Sequence, residues 1–206
     1  MVVIADDHPF FRASLADALR ASGIDVAAEV GSGEAAIAAV NELSPQVVVM
    51  DLKMPGVSGL EATRRLVAAH PRIQIVVVSV SADEADVIEA ALAGAGGYVL
   101  KDSPPQELIL AIHGAAAGEP LVSARIASAL LGRIREAIST GEGLAGVSVS
   151  GRELEVLDAF ADGKREAEVA DSLQLSAQEV REYASNLLMK LRVDRAVRDA
   201  VRKLDA

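Results

Sequence analysis

The sequence contains no cysteine, and this absence excludes several classes of function at once. A chain without thiols has no disulfide framework, no cysteine-ligated zinc and no cysteine nucleophile. Long apolar runs are also missing, since VVVM at 47–50 and IVVV at 75–78 fall far short of the roughly 20 residues that a membrane span needs. No signal peptide is recognisable. We therefore expect a soluble, cytoplasmic protein that does not associate with membranes.

Basic residues are scarce relative to acids: the chain carries 20 Lys and Arg against 30 Asp and Glu, for a net charge of −10. The imbalance is concentrated in residues 1–120, with 16 acids and 7 bases, whereas residues 147–206 have 12 acids and 10 bases. A polyphosphate would be repelled by the chain as a whole. Any contact with nucleic acid must therefore come from a local patch in the last third.

Short apolar runs alternate with longer amphipathic stretches over the first 120 residues, which is typical of a parallel sheet covered by helices. Five strands and five helices fit the flavodoxin-like, doubly wound α/β order, whose functional crevice lies at the carboxyl ends of the strands. The predicted strands are 2–5, 25–29, 47–50, 73–78 and 98–100, and the predicted helices lie near 9–21, 33–43, 58–69, 84–93 and 104–117.

The remainder of the chain is predicted to be all-helical. A helix from about 123 to 138 is followed by the glycine-rich loop STGEGLAG at 139–146, which we expect to be the hinge between two domains. Four more helices are predicted near 151–161, 166–173, 177–191 and 195–204.

Charged and hydroxyl side chains stand where four of the predicted strands end. Asp6 and Asp7 follow the first strand, Asp51 the third, Ser79 the fourth and Lys101 the fifth. Three converging carboxylates repel one another unless a hard cation joins them, and an oxygen-only pocket suits Mg²⁺ or Mn²⁺. The lysine would neutralise a tetrahedral anion, and the serine hydroxyl would bond one of its oxygens.

Such a pocket is suited to phosphoryl transfer, in which a carboxylate attacks in line while metal and lysine stabilise the equatorial oxygens. Asp51 is the best candidate nucleophile because it stands alone, whereas the paired acids are better used as metal ligands. An aspartate often only ends a strand or caps a helix, which explains one such acid more readily than a set at four strand ends. A free-standing phosphatase or other metal hydrolase would use the same pocket.

Four motifs together resemble the receiver domain of bacterial two-component response regulators, in the NarL and LuxR subclass. They are ADDHP at 5–9, DLKMPGVSGLEA at 51–62, the hydroxyl residue that closes VVVS at 76–79, and GYVLKD at 97–102. The resemblance covers residues 1–118. It implies that a sensor histidine kinase phosphorylates Asp51, and that no external substrate is turned over as by an enzyme.

The same resemblance implies a role for each residue of the pocket. Mg²⁺, or Mn²⁺, is bound by Asp6, Asp7 and Asp51 together with the main-chain carbonyl of Lys53. Lys101 contacts the phosphate. Ser79 and Tyr98 change position on phosphorylation and so carry the signal to a distant surface.

The tail from VSVSGRELEVLDAF to SNLLMKLRV resembles the four-helix helix-turn-helix domain of LuxR-type regulators. The resemblance covers residues 148–206, so the predicted domains are a receiver at 1–118, a linker helix with a glycine-rich hinge at 119–147, and a DNA-binding domain at 148–206. In such domains the helix near 177–191 enters the major groove.

Helical spacing divides that helix into two faces. Its predicted buried stripe is Val180, Ala184, Leu187, Leu188 and Leu191, and about 100° per residue places Glu182 and Met189 opposite. Glu179 follows Ser176 in a capping-box pattern, which gives it a structural role. The candidate DNA contacts are Lys164, Arg165, Gln178, Arg181, Glu182, Ser185 and Lys190.

Two functions remain open for the whole chain. The first is a transcription regulator that dimerises when Asp51 is phosphorylated and then binds promoter DNA with matching two-fold symmetry. The second is a phosphorylation-switched protein-interaction module whose helix-turn-helix domain binds DNA weakly or not at all. The acid at Glu182 and the low net charge of residues 147–206 motivate the second function.

Overall fold

The computed structural model describes residues 1–117, 124–139 and 148–204, with backbone alone for 137–138 and 192–204. The chain divides into two compact units, Met1–Leu121 and Val122–Ala206. The predicted glycine-rich hinge lies, apart from its first residue, outside the described residues. Within the described part of the chain, no helix is both long enough and apolar enough to cross a membrane.

The first unit is a five-stranded parallel sheet with the order β2-β1-β3-β4-β5, which confirms the predicted flavodoxin-like fold. Its elements alternate without exception along the chain. The strands are β1 Val2–Ala5, β2 Val26–Val30, β3 Val47–Asp51, β4 Gln74–Ser79 and β5 Gly97–Leu100, and the helices are α1 Pro9–Ala21, α2 Gly33–Leu43, α3 Gly59–Ala69, α4 Glu84–Ala93 and α5 Pro105–Ala116.

The strand ends differ slightly from the prediction, and the difference bears on the site. Asp51 and Ser79 are the last residues of their strands and do not follow them, because each still pairs with the neighbouring strand: Asp51 with Val78, and Ser79 with Leu100. All five residues of β3 are buried, as are the four of β1. The polar side chains at this edge are therefore fixed by the sheet itself.

Helix α3 begins in direct contact with the end of β3. Its N-cap, Ser58, accepts a hydrogen bond from Glu61 N, and Gly59 N donates to the carbonyl oxygen of Leu52 at 3.0 Å. A Cβ added to Gly59 would lie 1.7 Å from the main-chain oxygen of Asp51. Only glycine allows this approach, which ties the loop after Asp51 to the sheet.

The second unit is all-helical, with α6 Ala124–Ser139, α7 Gly151–Ala161, α8 Glu166–Leu173 and α9 Ala177–Leu204. Helix α6 packs against α7 through its apolar face, which includes Ile126, Leu130 and Ile134. The helix predicted as part of a linker is therefore a component of the second unit.

The prediction of separate helices at 177–191 and 195–204 is wrong. Helix α9 runs without interruption over 28 residues. Residues 192–194 read Arg-Val-Asp and contain neither proline nor glycine, the residues that most often break a helix. The helix therefore continues through them.

We predict that Gly59→Ala destabilises the first unit by about 1–3 kcal/mol, because its new methyl group meets main chain that cannot move aside cheaply. Gly31→Ala is the matched control, since its nearest neighbour is the Arg12 Nη1 atom at an ordinary 3.5 Å. Urea unfolding of the full chain measures both. Equal stability of the two variants would contradict the close packing of α3 on β3.

Candidate functional site

The carboxyl edge of the sheet brings together the acids and the lysine that the sequence predicts there. Lys101 Nζ lies 2.6 Å from Asp6 Oδ2 and 2.8 Å from Asp51 Oδ2. Asp6 and Asp51 are 2% and 5% exposed, and the lysine side chain is almost as well buried at 9%. A single buried ammonium group therefore contacts two buried carboxylates, which come from the ends of neighbouring strands.

The charge of Lys101 is maintained by these contacts. Burial alone would lower the pKa of its ammonium group, but hydrogen bonds and attraction from Asp51 and Asp6 outweigh that effect and raise the pKa. The ammonium also lies 4.8 Å from the centre of the Phe11 ring on α1, a favourable cation–π distance. Lys101 is thus a fixed positive charge aimed at the carboxylate oxygens of Asp51.

The acidic residues also fit a divalent cation. Asp6, Asp7, His8 and Asp51 each offer one ligand atom, and these four atoms all lie within 4.8 Å of one another. The buried Oδ1 of Asp7 approaches His8 Nδ1 to 2.7 Å without a hydrogen bond, which leaves an oxygen available for an ion. The carboxylate oxygens and the spacing of this set suit a hard divalent cation such as Mg²⁺.

Two residues of this region differ from the sequence-based reasoning. His8, which the sequence analysis did not name as a ligand, stands beside the acid pair and belongs to the same group of possible ligands. Lys53 N approaches Asp51 Oδ1 at 3.4 Å, and its ammonium pairs with Asp86 on α4 at 3.6 Å. The role of the Lys53 carbonyl as a metal ligand stays a prediction.

Ser79 and Tyr98 are connected through the main chain of one residue. Ser81 N donates to Ser79 Oγ at 3.1 Å, and the Tyr98 hydroxyl donates to Ser81 O at 2.9 Å. Both Ser79 and Tyr98 are buried, at 1% and 3% exposure. The connection through Ser81 could not be found from the sequence, because no motif marks a bond made by main-chain atoms.

The candidate DNA-binding helix, α9, has the two faces that its sequence predicts. Val180, Ala184, Leu187 and Leu191 are buried and Leu188 is partly so, whereas Gln178, Glu182, Ser185 and Met189 are exposed. The capping box is also confirmed: Glu179 N donates to Ser176 Oγ at 3.2 Å, and Glu179 Oε2 accepts from Ser176 N at 2.8 Å.

Most of the basic side chains proposed to contact DNA form ion pairs with acidic residues of the second unit. Arg165 pairs with Glu168 at 3.2 Å, and Arg181 with Glu166 at 3.4 Å. Gln178 donates to Glu182, its neighbour one helical turn further on, at 2.9 Å. Lys164 is exposed at the turn before α8. The predicted residues therefore lie around α8 and α9, with much of their charge already balanced.

Lys190 has an internal role that the sequence did not predict, and its contact with DNA stays a prediction. Its ammonium lies 2.8 Å from Glu153 Oε1 and donates to the Ser148 carbonyl oxygen at 2.9 Å. Glu153 is 3% exposed and completes the capping box of α7 with Ser150. Burial acts to raise the pKa of Glu153, but bonds from Lys190 and Ser150 outweigh it and lower the pKa.

Both parts of the chain match described protein families. Residues 2–113 match the family described as "Response regulator receiver domain", and residues 147–202 match "Bacterial regulatory proteins, luxR family". The DNA-binding transcriptional activator DevR/DosR of Mycobacterium tuberculosis is 36% identical over 97% of this chain and 92% of its own length. The nitrate/nitrite response regulator NarP of Escherichia coli is 38% identical over 93% of this chain and 88% of its own.

Solved structures include relatives of similar architecture. A complex of the two-component response regulator RcsB with DNA has a TM-score of 0.56 and 26% identity, over 93% of this chain and 91% of that one.

We predict that Lys190→Met destabilises the second unit by about 1–3 kcal/mol, because Glu153 would remain buried without its cation, although the partial exposure of Lys190 screens the pair. Adding Glu153→Gln should recover most of this loss, since the amide keeps an acceptor for Ser150 N without a buried charge. A loss of DNA affinity with unchanged stability would contradict the internal role.

The pH dependence follows from the lowered pKa of Glu153. The stabilisation is fully present above the ordinary carboxyl value of 4.5 and is lost as the pH falls through the lower folded-state value. Lys190→Met should therefore reduce the acid sensitivity of unfolding, which circular dichroism measures between mildly and strongly acid pH.

Proposed function

Since the chain belongs to the bacterial response regulators that join a receiver domain to a LuxR-type helix-turn-helix domain, we propose that phosphorylation of Asp51 switches it as a transcription regulator. The observation that carries the proposal is the buried pair of contacts from Lys101 to Asp6 and Asp51. These contacts bring together the carboxylate of Asp51 as nucleophile, the fixed charge of Lys101 and the neighbouring acid Asp6 at the carboxyl edge of the sheet. The partner that phosphorylates Asp51 is a sensor histidine kinase.

In the proposed step, a carboxylate oxygen of Asp51 attacks the phosphorus atom of a phosphohistidine on the kinase. The new P–O bond forms as the P–N bond breaks, and the departing imidazole nitrogen takes up a proton. The product is an acyl phosphate on Asp51. Lys101 then exchanges part of its contact with the Asp51 carboxylate for the phosphoryl oxygens, since its ammonium already lies 2.8 Å from that carboxylate.

Asp6, Asp7 and Asp51 would hold Mg²⁺ or Mn²⁺, with the Lys53 carbonyl as a further ligand. When bound, the ion would neutralise charge on the phosphoryl oxygens. The spacing of the acids supports this assignment, and so does Asp7 Oδ1, which has no hydrogen-bond partner and lies 2.7 Å from His8 Nδ1. The chain itself positions the attacking oxygen and excludes water from Asp51, which is 5% exposed.

The Ser79 hydroxyl is the proposed sensor of the phosphoryl group. It is held by Ser81 N, so turning toward a phosphoryl oxygen would release Ser81, whose carbonyl anchors the Tyr98 hydroxyl. A change at Ser79 is thereby passed to a buried aromatic side chain on β5. The resulting movement favours a homodimer, which would match promoter DNA of two-fold symmetry.

We predict that a small phosphodonor such as acetyl phosphate labels the wild-type chain in the presence of Mg²⁺, and that Asp51→Ala abolishes the label. Chelation of the metal should abolish it as well, because the phosphoryl oxygens would lose their counter-charge. Phosphate-affinity gel electrophoresis measures the labelled fraction. Asp17→Asn, a change at an exposed acid on α1, is the matched control and should leave labelling intact. Labelling that survives Asp51→Ala would refute the assignment.

A second function is favoured by the ion pairs of the second unit. Arg165, Arg181 and Lys190 each contact a glutamate of the same unit, so less of their charge is available to phosphates than the sequence suggests. A phosphorylation-switched module that binds another protein through this domain would tolerate that arrangement. The two functions differ in whether DNA phosphates are bound.

We predict that the phosphorylated protein binds genomic DNA fragments with an affinity that falls steeply with salt, by a slope of about −0.9 in log K per phosphate contact. Lys164→Gln should reduce the slope by about one contact per bound subunit, because its charge is exposed beside α8. Fluorescence anisotropy over a salt series measures the slope. Absence of binding at low salt would favour the protein-interaction function.

A further inference from the structure

The exposed face of the N-terminal part of α9 carries a glutamine and a glutamate that are bonded to each other. Gln178 Nε2 donates to Glu182 Oε1 at 2.9 Å, and both side chains are exposed. Side chains four residues apart on a helix lie one above the other, so this bond fixes the Glu182 carboxylate beside the preceding turn, where Gln178 stands. One amide proton occupies only part of the acceptor capacity of a carboxylate, which has about four lone-pair sites.

Glu182 differs in this respect from the other acid at the start of the helix. Glu179 is bonded to the main-chain nitrogen and the hydroxyl of Ser176, so its charge is used to cap α9. Bonds to Ser176 also lower the pKa of Glu179. Glu182 closes no helix end and is bonded to a neutral amide, which leaves a negatively charged acceptor directed away from the unit.

Only two base edges in the major groove offer an amino group to such an acceptor: N4 of cytosine and N6 of adenine. Adenine presents its N7 acceptor beside the N6 amino group, and this acceptor would repel a carboxylate. An amide side chain, which both donates and accepts, suits adenine better. Cytosine is therefore the base that a glutamate at this position selects. Resting on the proposed DNA-binding function, we infer that Glu182 reads the amino group of a cytosine in the target site and that Gln178 positions it.

The surroundings of Glu182 are compatible with a base contact. Ser185, on the same exposed face, is uncharged and offers no competing cation. Arg181, the adjacent base, is directed to Glu166 on α8 at 3.4 Å and not to Glu182. Because Arg181 is held by Glu166, it does not neutralise Glu182, and the Glu182 carboxylate is left for the base edge.

The alternative is that Glu182 is only a solvated charge which repels phosphates. The two readings make opposite predictions for its removal. Loss of a repelling charge raises affinity for every DNA sequence equally, whereas loss of a cytosine contact changes the base preference at one position of each half-site.

The test uses the full-length phosphorylated protein and selection from a pool of randomised duplex DNA, followed by sequencing. Wild type is compared with Glu182→Ala, Glu182→Gln and Gln178→Ala. The control, Glu155→Gln, removes the same charge from an exposed position on α7 that pairs with Arg152. Thermal unfolding confirms that each variant is folded, and the two substitutions at Glu182 act as independent tests of the same contact.

We expect wild type and Glu155→Gln to select a cytosine at one position of the half-site, over the other bases, by about fivefold or more. Glu182→Ala should lose that preference alone, Glu182→Gln should shift it toward adenine, and Gln178→Ala should weaken it. Unchanged base preferences, or a uniform rise in affinity at all sequences, would overturn the inference while leaving DNA binding intact. Failure of wild type to select any DNA would overturn the regulator function and the inference with it.

Discussion

The contact of one lysine with two buried carboxylates is the constraint on which the first unit depends. In the order β2-β1-β3-β4-β5, Asp6 follows β1 and Asp51 ends the neighbouring β3, while Lys101 follows β5, two strands from β3, and reaches past the end of β4. Ser79, the last residue of β4, is thus enclosed between the charged groups. Under the proposed function, a phosphoryl group on Asp51 would lie beside the ammonium of Lys101, which is 2.8 Å from that carboxylate, and next to the strand that Ser79 ends.

The second unit uses a similar pair for a different purpose. Lys190 balances the buried Glu153 as Lys101 balances Asp6 and Asp51, but Glu153 also caps α7 and so has a structural task. A carboxylate that is bonded to a helix start is not available to a new group. The Asp51 carboxylate caps no helix, and under the proposed function its partner lysine would exchange part of this contact for a phosphoryl group. The same interaction is therefore structural in the second unit and, in the proposed function, reactive in the first.

The fold and most of the pocket followed from the sequence because strand ends are marked by simple patterns: buried valine runs, each followed by a polar residue. Longer-range features were not predictable in this way. Helical spacing put Lys190 at the border of α9 but carried no information about Glu153, which is distant in sequence. The periodicity of α6 indicated a helix without identifying α7 as its partner. Helix α9 is uninterrupted because residues 192–194, which were predicted as a break, contain no glycine or proline.

Glu182, on the exposed face of α9, is compatible with DNA binding, because a residue can lower the overall affinity for DNA and still raise the specificity for one sequence. Phosphate attraction is independent of sequence, and it is limited here because Arg165 and Arg181 are paired with glutamates. A carboxylate facing the groove opposes binding at every site and is compensated only where a cytosine amino group meets it. Non-specific binding is therefore weakened more than binding to the target, and the ratio of the two affinities decides occupancy in a genome. In the proposed dimer, two subunits bound at one site would recover the affinity that each subunit loses, which would link Glu182 to the proposed control of dimerisation by Asp51.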